Sequence, residues 1–260
     1  MNSLFNTLVA KRIVATVSAL LVIAIGCAAG YWQISRASTK VAIAANLLAR
    51  QQMPILNAND RAWTLAEASE RRMTARGHYL PSAAVWLDNR PRPIPPAGSN
   101  SAQSGFYLLM PLRLEGGDEV LWVNRGWAPR NQENRETLPL VETPVGVVNI
   151  EGVVFAHPGK VYELGSGNPS PVLNSPRIEQ NFNLDGEAKL HGWTQSPFIL
   201  RLEESGIQDG LLREWAPLTT GVDRHYAYAF QWFALALCGF LFWFISGLRQ
   251  YWRKGIVNED

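Results

Sequence analysis

Two long apolar runs stand at the two ends of the chain, and a largely polar stretch separates them. The first run extends from Ile13 to Tyr31 and the second from Tyr226 to Leu248. Each is close to the roughly 20 apolar residues that a helix needs to cross a bilayer. The pattern predicts a membrane protein with transmembrane helices at residues 13–32 and 225–248, which bracket one external domain at residues 33–224.

Basic residues beside the runs indicate the orientation, because Lys and Arg tend to stay on the cytoplasmic side of a membrane. They are Lys11 and Arg12 before the first run, and Arg249, Arg253 and Lys254 after the second. This predicts cytoplasmic termini, at residues 1–12 and 249–260, and a periplasmic domain held at the cell inner membrane. Arg36 and Lys40 lie beyond the first run and weaken its signal, whereas nothing opposes the signal of the second run.

The first run also allows a second interpretation, that of a cleaved signal peptide. A basic segment followed by an apolar core is typical of such peptides, but their cores usually span only about 7–15 residues. This run is longer and leads into Tyr31 and Trp32, which suit an aromatic anchor at the membrane interface. Residues Ala24 to Cys27 faintly resemble a lipoprotein cleavage site, but the Leu expected at the start of such a site is missing. We therefore expect the first run to be kept as a helix.

Short β-rich runs separated by Gly, Pro and Asn dominate the region between the apolar runs, as in strands joined by turns. The predicted strands are Arg72–Leu80, Val85–Asp88, Gly105–Leu114, Val120–Asn124, Val147–Phe155 and Phe198–Leu202. They predict a mainly antiparallel sheet or open barrel within an α+β fold. Two helices are expected beside it: Lys40–Gln51, which continues outward from the first span, and Leu184–His191, which Asn183 caps.

Segments rich in Pro, Gly and Ser predict loops. Pro91–Ser104 is expected to form a long mobile hairpin loop that does not continue the strand before it, and Gly165–Pro176 to form a second loop. The three residues Gly116, Gly117 and Asp118 predict a tight turn between two strands.

Composition excludes several classes of function. The net charge is +2 over 260 residues, so no basic excess indicates nucleic-acid binding. The two cysteines, Cys27 and Cys238, both fall inside the apolar runs, where small core residues are expected. The external domain therefore has no thiol chemistry. No histidine stands at metal-ligand spacing and no nucleophile–base motif occurs, so the sequence predicts a protein that is not an enzyme, with a periplasmic enzyme as an alternative.

His225 stands where the chain enters the second apolar run, on one predicted helical face with Tyr228, Ala229 and Trp232. An antiparallel hairpin would bring Trp32, Gln33 and Arg36 of the first run to the same depth, and Arg224 precedes the histidine. A neutral nitrogen ligand, flat aromatic walls and two guanidinium groups match the needs of haem: an axial ligand, apolar surroundings and cations for its propionates. The alternative is an aromatic belt at the membrane interface with a solvated histidine.

Several short segments, in a fixed order between the apolar runs, carry a resemblance to a known family. They are Gly30 to Arg36, Gly77-His78-Tyr79-Leu80, Leu87-Asp88-Asn89-Arg90, Gly105-Phe106, Met110-Pro111-Leu112, Val123-Asn124-Arg125-Gly126-Trp127-Ala128-Pro129, and Arg224-His225 with Gln231-Trp232-Phe233. On these segments the chain resembles the surfeit locus protein 1 family, which are membrane-anchored factors for assembly of cytochrome c oxidase.

The resemblance implies a function and a ligand. Such a protein assists the delivery of haem a, or its insertion into the catalytic subunit of a haem-copper cytochrome c oxidase, at the outer membrane interface. Its partners are that catalytic subunit, the haem a synthesis or assembly proteins and the lipid bilayer. The resemblance implies His225 as the axial ligand of the haem iron. Trp32 and Trp232 are then expected to wall the ring, and Arg36 and Arg224 to pair with the propionates.

Two questions stay open at the level of the sequence. The runner-up function is a scaffold that never binds haem and holds an oxidase assembly intermediate, with Gly26, Ala29 and Gly30 packing against a partner helix. The central motif around Arg125 is interpreted as a structural corner, with contact to a partner or to a haem propionate as the alternative.

Overall fold

The chain divides into two compact units, a helix unit at residues 1–46 and 218–260 and a β unit at residues 47–217. The computed structural model describes residues 12–94, 103–131, 133–134, 137–161, 175–203, 208–215 and 221–257, with side chains as far as residue 252. In chain order the elements are α1 (Ile13–Gln51), β1 (Leu56–Asn57), α2 (Leu65–Ala68), β2 (Arg72–Tyr79), a 3-10 turn (Pro81–Ala83), β3 (Val85–Pro91), β4 (Ser104–Leu114), β5 (Val120–Pro129), β6 (Val147–Phe155), β7 (Arg177–Glu179), α3 (Leu184–His191), β8 (Gln195–Leu202) and α4 (Val222–Val257).

The two apolar runs form α1 and α4, which are long and apolar enough to cross a membrane. The predicted helical continuation over Lys40–Gln51 is confirmed, because α1 extends without a break to Gln51. Neither helix has proline in its interior, and Pro54 follows soon after α1 ends, as is common beyond a helix terminus. At about 1.5 Å per residue each helix is longer than a bilayer core of about 30 Å.

Helices α1 and α4 pack against each other in antiparallel fashion. Near one end, Arg12 Nη2 donates to Ser246 Oγ over 2.7 Å. Further along α1, a Cβ added at Gly26 would lie 2.9 Å from Ala236 Cβ, and one added at Gly30 would lie 2.7 Å from Phe233 Cζ. Since higher numbers on α1 meet lower numbers on α4, the helices run in opposite directions.

Two expectations about the apolar runs are corrected by this packing. Gly26 and Gly30, predicted to suit a partner helix, already pack against α4 of the same chain. Cys27 and Cys238 were expected among small core residues, but both are exposed on the helix pair and neither forms a disulfide. Their positions on α1 and α4 turn the thiols away from the line of helix contact.

The β unit is built on one eight-stranded sheet in the order β1-β2-β6-β8-β5-β4-β3-β7. An additional pairing between β2 and β4 closes β2, β6, β8, β5 and β4 into a ring. Most pairings are antiparallel, as predicted, but β1–β2, β3–β7 and β5–β8 are parallel. The sheet is therefore mixed. Strand β8 lies between β6 and β5, and it pairs parallel to β5 because it enters the sheet after a long crossover and not after a hairpin turn.

Strand positions follow the predicted runs, with differences at their ends. Strand β3 continues to Pro91, which pairs with Ser104, so the strand extends beyond its predicted end at Asp88. The predicted loops over residues 91–104 and 165–176 fall largely on residues 95–102 and 165–174, outside the described part of the chain. The tight turn is confirmed, since Leu114 N–H donates to Glu119 O over 2.9 Å across Gly116 and its neighbours.

The predicted helix Leu184–His191 is confirmed as α3, with both ends capped. Asn183 Oδ1 accepts a hydrogen bond from Gly186 N–H, which satisfies one of the free donors of the first turn. Gly192 ends the helix at φ +66°, a left-handed conformation that glycine adopts without steric cost.

Apolar side chains fill the ring of strands. The members of this core include Met73, Leu112, Leu121, Val123, Val154, Phe198 and Leu200, all nearly or completely buried. A second cluster lies outside the ring where Trp122 meets Phe182, with ring centres 4.8 Å apart. Burial of this kind supplies the main favourable term in folding, at about 25 cal/mol per Å² of apolar surface.

Candidate functional site

His225 lies in the first turn of α4 and contacts Gln33 of α1. Its Nδ1 atom is 2.7 Å from Gln33 Oε1, and both side chains are partly buried. The two residues lie at one level because Gln33 is as many residues from Arg12 as His225 is from Ser246, and Arg12 and Ser246 are in contact. The predicted juxtaposition of the two runs at this depth is therefore confirmed for Gln33.

This hydrogen bond decides how the two nitrogens of His225 are used. An amide oxygen only accepts hydrogen bonds, so the short contact requires the proton on Nδ1. The neutral ring then carries its lone pair on Nε2, which is the form of histidine that binds a metal. A second group that holds the other ring nitrogen is the usual companion of a histidine ligand.

The side of the helix pair on which each remaining predicted residue lies follows from its angular position relative to the line where the two helices touch. This helix interface consists of Gly26, Gly30 and Gln33 on α1 and of His225, Ala229 and Ala236 on α4. At about 100° per residue, Trp32 and Arg36 project to one flank of it. Arg224 and Tyr228 project to a flank of α4, and because the helices are antiparallel the two flanks lie on the same side of the pair.

Accessibility agrees with this assignment of sides. Trp32 is 60% exposed, and Tyr228, Arg36 and Arg224 are also exposed. Trp232 is half-buried, and its carbonyl oxygen lies 2.9 Å from the place where a Cβ of Gly26 would stand. The structure therefore places Trp232 toward the helix interface, while the other predicted side chains form an open surface beside His225.

The charges on this surface are not used elsewhere in the described part of the chain. Arg36 and Arg224 form no ion pair or hydrogen bond with another described residue. Two guanidinium groups on one side of the helix pair can bind carboxylates, to which they donate charge-assisted hydrogen bonds. Aromatic faces, a nitrogen ligand and free cations on a single side are the donor set that haem needs.

The motif around Arg125 lies on β5 inside the β unit, and its interpretation as a structural corner is confirmed. Arg125 is 2% exposed and donates to Asp209 Oδ2, to Thr143 Oγ1 and to Glu142 O, each over 2.8 Å. Its guanidinium also lies over the ring of Tyr79, 4.9 Å from the ring centre. All of these partners belong to the β unit.

Gly126 makes the corner sterically possible. Its φ is +142°, and an added Cβ would lie 2.9 Å from Leu212 O. The neighbouring Trp127 exchanges two backbone hydrogen bonds of 2.8 Å with Leu212. Glycine is therefore required both by the backbone conformation and by the close approach of the segment around residue 212.

Residues that the sequence did not single out complete this buried cluster. Arg213 Nη2 lies 2.5 Å from Asp209 Oδ2, and Arg213 Nε donates to the Arg125 carbonyl over 2.7 Å. Burial raises the pKa of Tyr79 to about 12, against the opposing effect of nearby Arg125, so the phenol stays protonated. Asp209 gave no local signal, because its ion pair with Arg125 joins residues that are 84 positions apart in the sequence.

Metal sites of the ordinary side-chain kind are absent from the described residues, where no group of three or more His, Cys, Asp and Glu side chains is close enough to hold an ion. The candidate metal ligand at the helix interface is one histidine, His225. A single axial nitrogen suits a metal that a macrocycle already holds, since haem supplies the other ligands itself.

Comparison with known proteins finds one family across most of the chain. The model of the SURF1 family matches residues 20–237. The chain is 24% identical over 227 residues to surfeit locus protein 1 of Rattus norvegicus, covering 85% of this chain and 72% of that protein. It is 26% identical over 221 residues to a SURF1-like protein of Rickettsia conorii, covering 80% of each. The chain belongs to the SURF1 family, whose members are known as cytochrome c oxidase assembly factors.

Proposed function

We propose that this protein is a non-enzymatic assembly factor for a haem-copper cytochrome c oxidase, and that it receives haem a and passes it to the catalytic subunit. Membership of the SURF1 family supports the oxidase as the target. The placement of a potential iron ligand between two apolar helices supports haem as the cargo.

The observation that carries the proposal is the hydrogen bond from His225 to Gln33. It holds the imidazole by Nδ1 over 2.7 Å and leaves Nε2 as a lone-pair donor. A histidine that served only as a solvated residue at a membrane interface would gain little from a fixed tautomer. Fixing the ring before the ligand arrives reduces the ordering cost of binding.

The side chains on the flank of the helix pair supply the remaining contacts. Trp32 offers a flat apolar face, and Arg36 and Arg224 offer charge for two carboxylates. Trp232, which is half-buried at the helix interface, would close the inner side of the site. When bound, haem would contribute an iron centre whose axial position accepts one nitrogen.

The open position of this surface suits a carrier. A resident haem is normally enclosed, because burial controls its chemistry, whereas Trp32 and both arginines are exposed. A bound molecule that must be passed on is released more easily when a partner protein can replace its contacts one by one. We infer that transfer occurs sideways from the flank to the oxidase subunit within the membrane.

The proposed topology places both termini in the cytoplasm and the β unit in the periplasm, at the cell inner membrane. The chain offers a simple test, because its two native cysteines lie in α1 and α4. In a chain with both cysteines replaced by alanine, a membrane-impermeant maleimide should label D118C in intact spheroplasts. It should label N258C only after the membrane is opened. The reverse pattern would overturn the topology.

The haem proposal is tested by visible spectroscopy of the full chain, purified in mild detergent from cells that make haem a. We expect a Soret band in the wild-type protein and a strongly reduced band in His225→Ala. His78→Ala is the matched control, because His78 is an exposed histidine on β2 of the other unit. Far-ultraviolet circular dichroism checks that each variant is folded. Absence of the band from all three folded proteins would favour the scaffold that binds no haem.

A further inference from the structure

A cavity in the β unit is separate from the residues assigned above. Its volume is about 280 Å³, just below the roughly 300–1,000 Å³ range of ligand pockets. It lies where β6 leaves the sheet, beside β5 and β8. The side chains that give it chemical character are Tyr107, Asn124, Phe155, His157, Arg201 and Trp215.

Arg201 is the cation of this cavity. Its guanidinium carbon lies 4.3 Å from the ring centre of Phe155 and 4.7 Å from that of Trp215, so aromatic groups flank it. Trp215 is itself fixed, because its Nε1 donates to Leu202 O over 2.7 Å. The cation is thereby held in place by packing before any ligand is bound.

The charge of Arg201 is only partly compensated by the residues around it. Nη2 donates to Glu203 Oε1 over 3.3 Å, a long contact with a carboxylate that is itself 45% exposed. Nε is buried and has no hydrogen-bond partner. This N–H is therefore available to an acceptor on a ligand.

Asn124 and His157, two further polar side chains of the wall, also offer donors. His157 Nδ1 accepts from Gly159 N–H over 3.2 Å, so the proton of the neutral ring lies on Nε2. Asn124 Oδ1 accepts from Gly126 N–H over 3.2 Å, which leaves the amide NH₂ group as the remaining donor. The wall therefore presents N–H groups, the Tyr107 hydroxyl and one cation beside aromatic rings.

We propose that this cavity binds a small aromatic carboxylate, with the carboxylate on Arg201 and the ring in the cavity space lined by Tyr107, Phe155 and Ile199. A carboxylate accepts hydrogen bonds and donates none, which complements a wall of donors. A flat apolar body matches the aromatic sides, and the volume limits the ligand to about one or two rings. The motif around Arg125 contributes Asn124 to the wall of this cavity. Arg125 and Trp127 of the same motif are buried in the β unit.

The test uses the full chain in lipid nanodiscs and 4-fluorophenylacetate as probe, observed by ¹⁹F NMR line broadening during titration. The matched neutral probe, 4-fluorophenylacetamide, has the same ring and nearly the same shape. Saturable binding of the acid, and binding about tenfold or more weaker for the amide, would support the site. Equal binding of both probes, or binding of neither, would overturn it.

Variants locate the binding. Arg201→Gln should weaken binding of the acid about tenfold or more, whereas Arg113→Gln, the same change at an exposed arginine of β4, should leave it unchanged. His157→Gln gives a second reading if Arg201→Gln does not fold, because His157 is exposed and makes one local contact. Undiminished binding in His157→Gln and in every folded Arg201 variant would also overturn the proposal. His225→Ala should bind the probe normally, so the haem proposal and this one fail separately.

Discussion

Arg125 and Asp209 form an ion pair inside the β unit, with Nη2 and Oδ2 2.8 Å apart and side chains that are 2% and 4% exposed. The same carboxylate oxygen lies 2.5 Å from Arg213 Nη2, so two guanidinium groups share one acid. The pair connects the strand that carries the family motif to a segment that follows the sheet in sequence. Its energetic role can be tested because removal of the acid leaves two buried cations.

We expect Asp209→Ala to lower the free energy of unfolding by about 3–5 kcal/mol, the usual cost of leaving a buried charge unpaired. The control is Glu151→Ala, which breaks the exposed ion pair to Arg72 and should cost about 0–1 kcal/mol. Denaturant unfolding of the full chain in detergent, followed by tryptophan fluorescence, measures both values. Equal losses in the two variants would contradict a structural role for the buried pair.

Gly126 gives a second prediction, which concerns the backbone. Gly126→Ala must place a Cβ 2.9 Å from Leu212 O at a φ of +142°, so we expect a loss of about 3 kcal/mol or more in the free energy of unfolding. Gly116→Ala is the matched control. Its φ is +91° but an added Cβ meets nothing within 4 Å, so only conformational strain of about 1 kcal/mol is expected. An equal loss in the free energy of unfolding in both variants would show that the close approach of Leu212 O does not destabilise Gly126→Ala.

The environment of His191 on α3 predicts a dependence of stability on pH. Burial lowers the pKa of His191, and the positive charge of Arg177 adds to this effect. Glu187 Oε2 lies 3.5 Å from the ring, but burial also raises the pKa of Glu187, which makes it a weaker counter-ion. The ring stacks on Trp193, with ring centres 4.0 Å apart.

The sign of the effect follows from these directions. The unfolded chain takes up a proton near pH 6.5, whereas the folded chain does so only at lower pH. The free energy of unfolding should therefore fall as the pH is lowered below about 6.5, until the folded pKa is passed. His191→Phe keeps the stacking and removes the titration, so its stability should change less between pH 7.5 and pH 6. Parallel curves for both proteins in denaturant unfolding would exclude this contribution.

Much of the fold could be predicted because it depends on local patterns. The β-rich run of β6 and the Asn183 cap of α3 involve neighbours in sequence, and both elements have their predicted bounds. Strands β1 and β7 have two and three residues, too few for a pattern to stand out. The parallel pairing of β5 with β8 depends on where a long crossover returns, which no local signal determines.

In the candidate site, too, some features could be predicted from local geometry and others depend on the tertiary structure. The level of Gln33 beside His225 could be predicted, because helical rise and antiparallel packing alone determine it. The position of Trp232 against Gly26 could not, because it depends on how closely the two helices approach. Asp209 was missed for a similar reason, since the partner of a buried charge is chosen by the tertiary structure.

Gln33 gives the prediction that most directly tests the orientation of His225. Gln33→Leu removes the acceptor of the Nδ1 proton, so we expect haem affinity to fall by about 10–100-fold, as is usual when the group that orients a histidine ligand is lost. Gln33→Glu keeps an acceptor oxygen and should retain haem, which a purely steric role would not explain. Gln51→Leu, the same change at the end of α1, is the control. The Soret absorbance per folded protein measures all four proteins, and wild-type absorbance in Gln33→Leu would show that His225 needs no orienting partner.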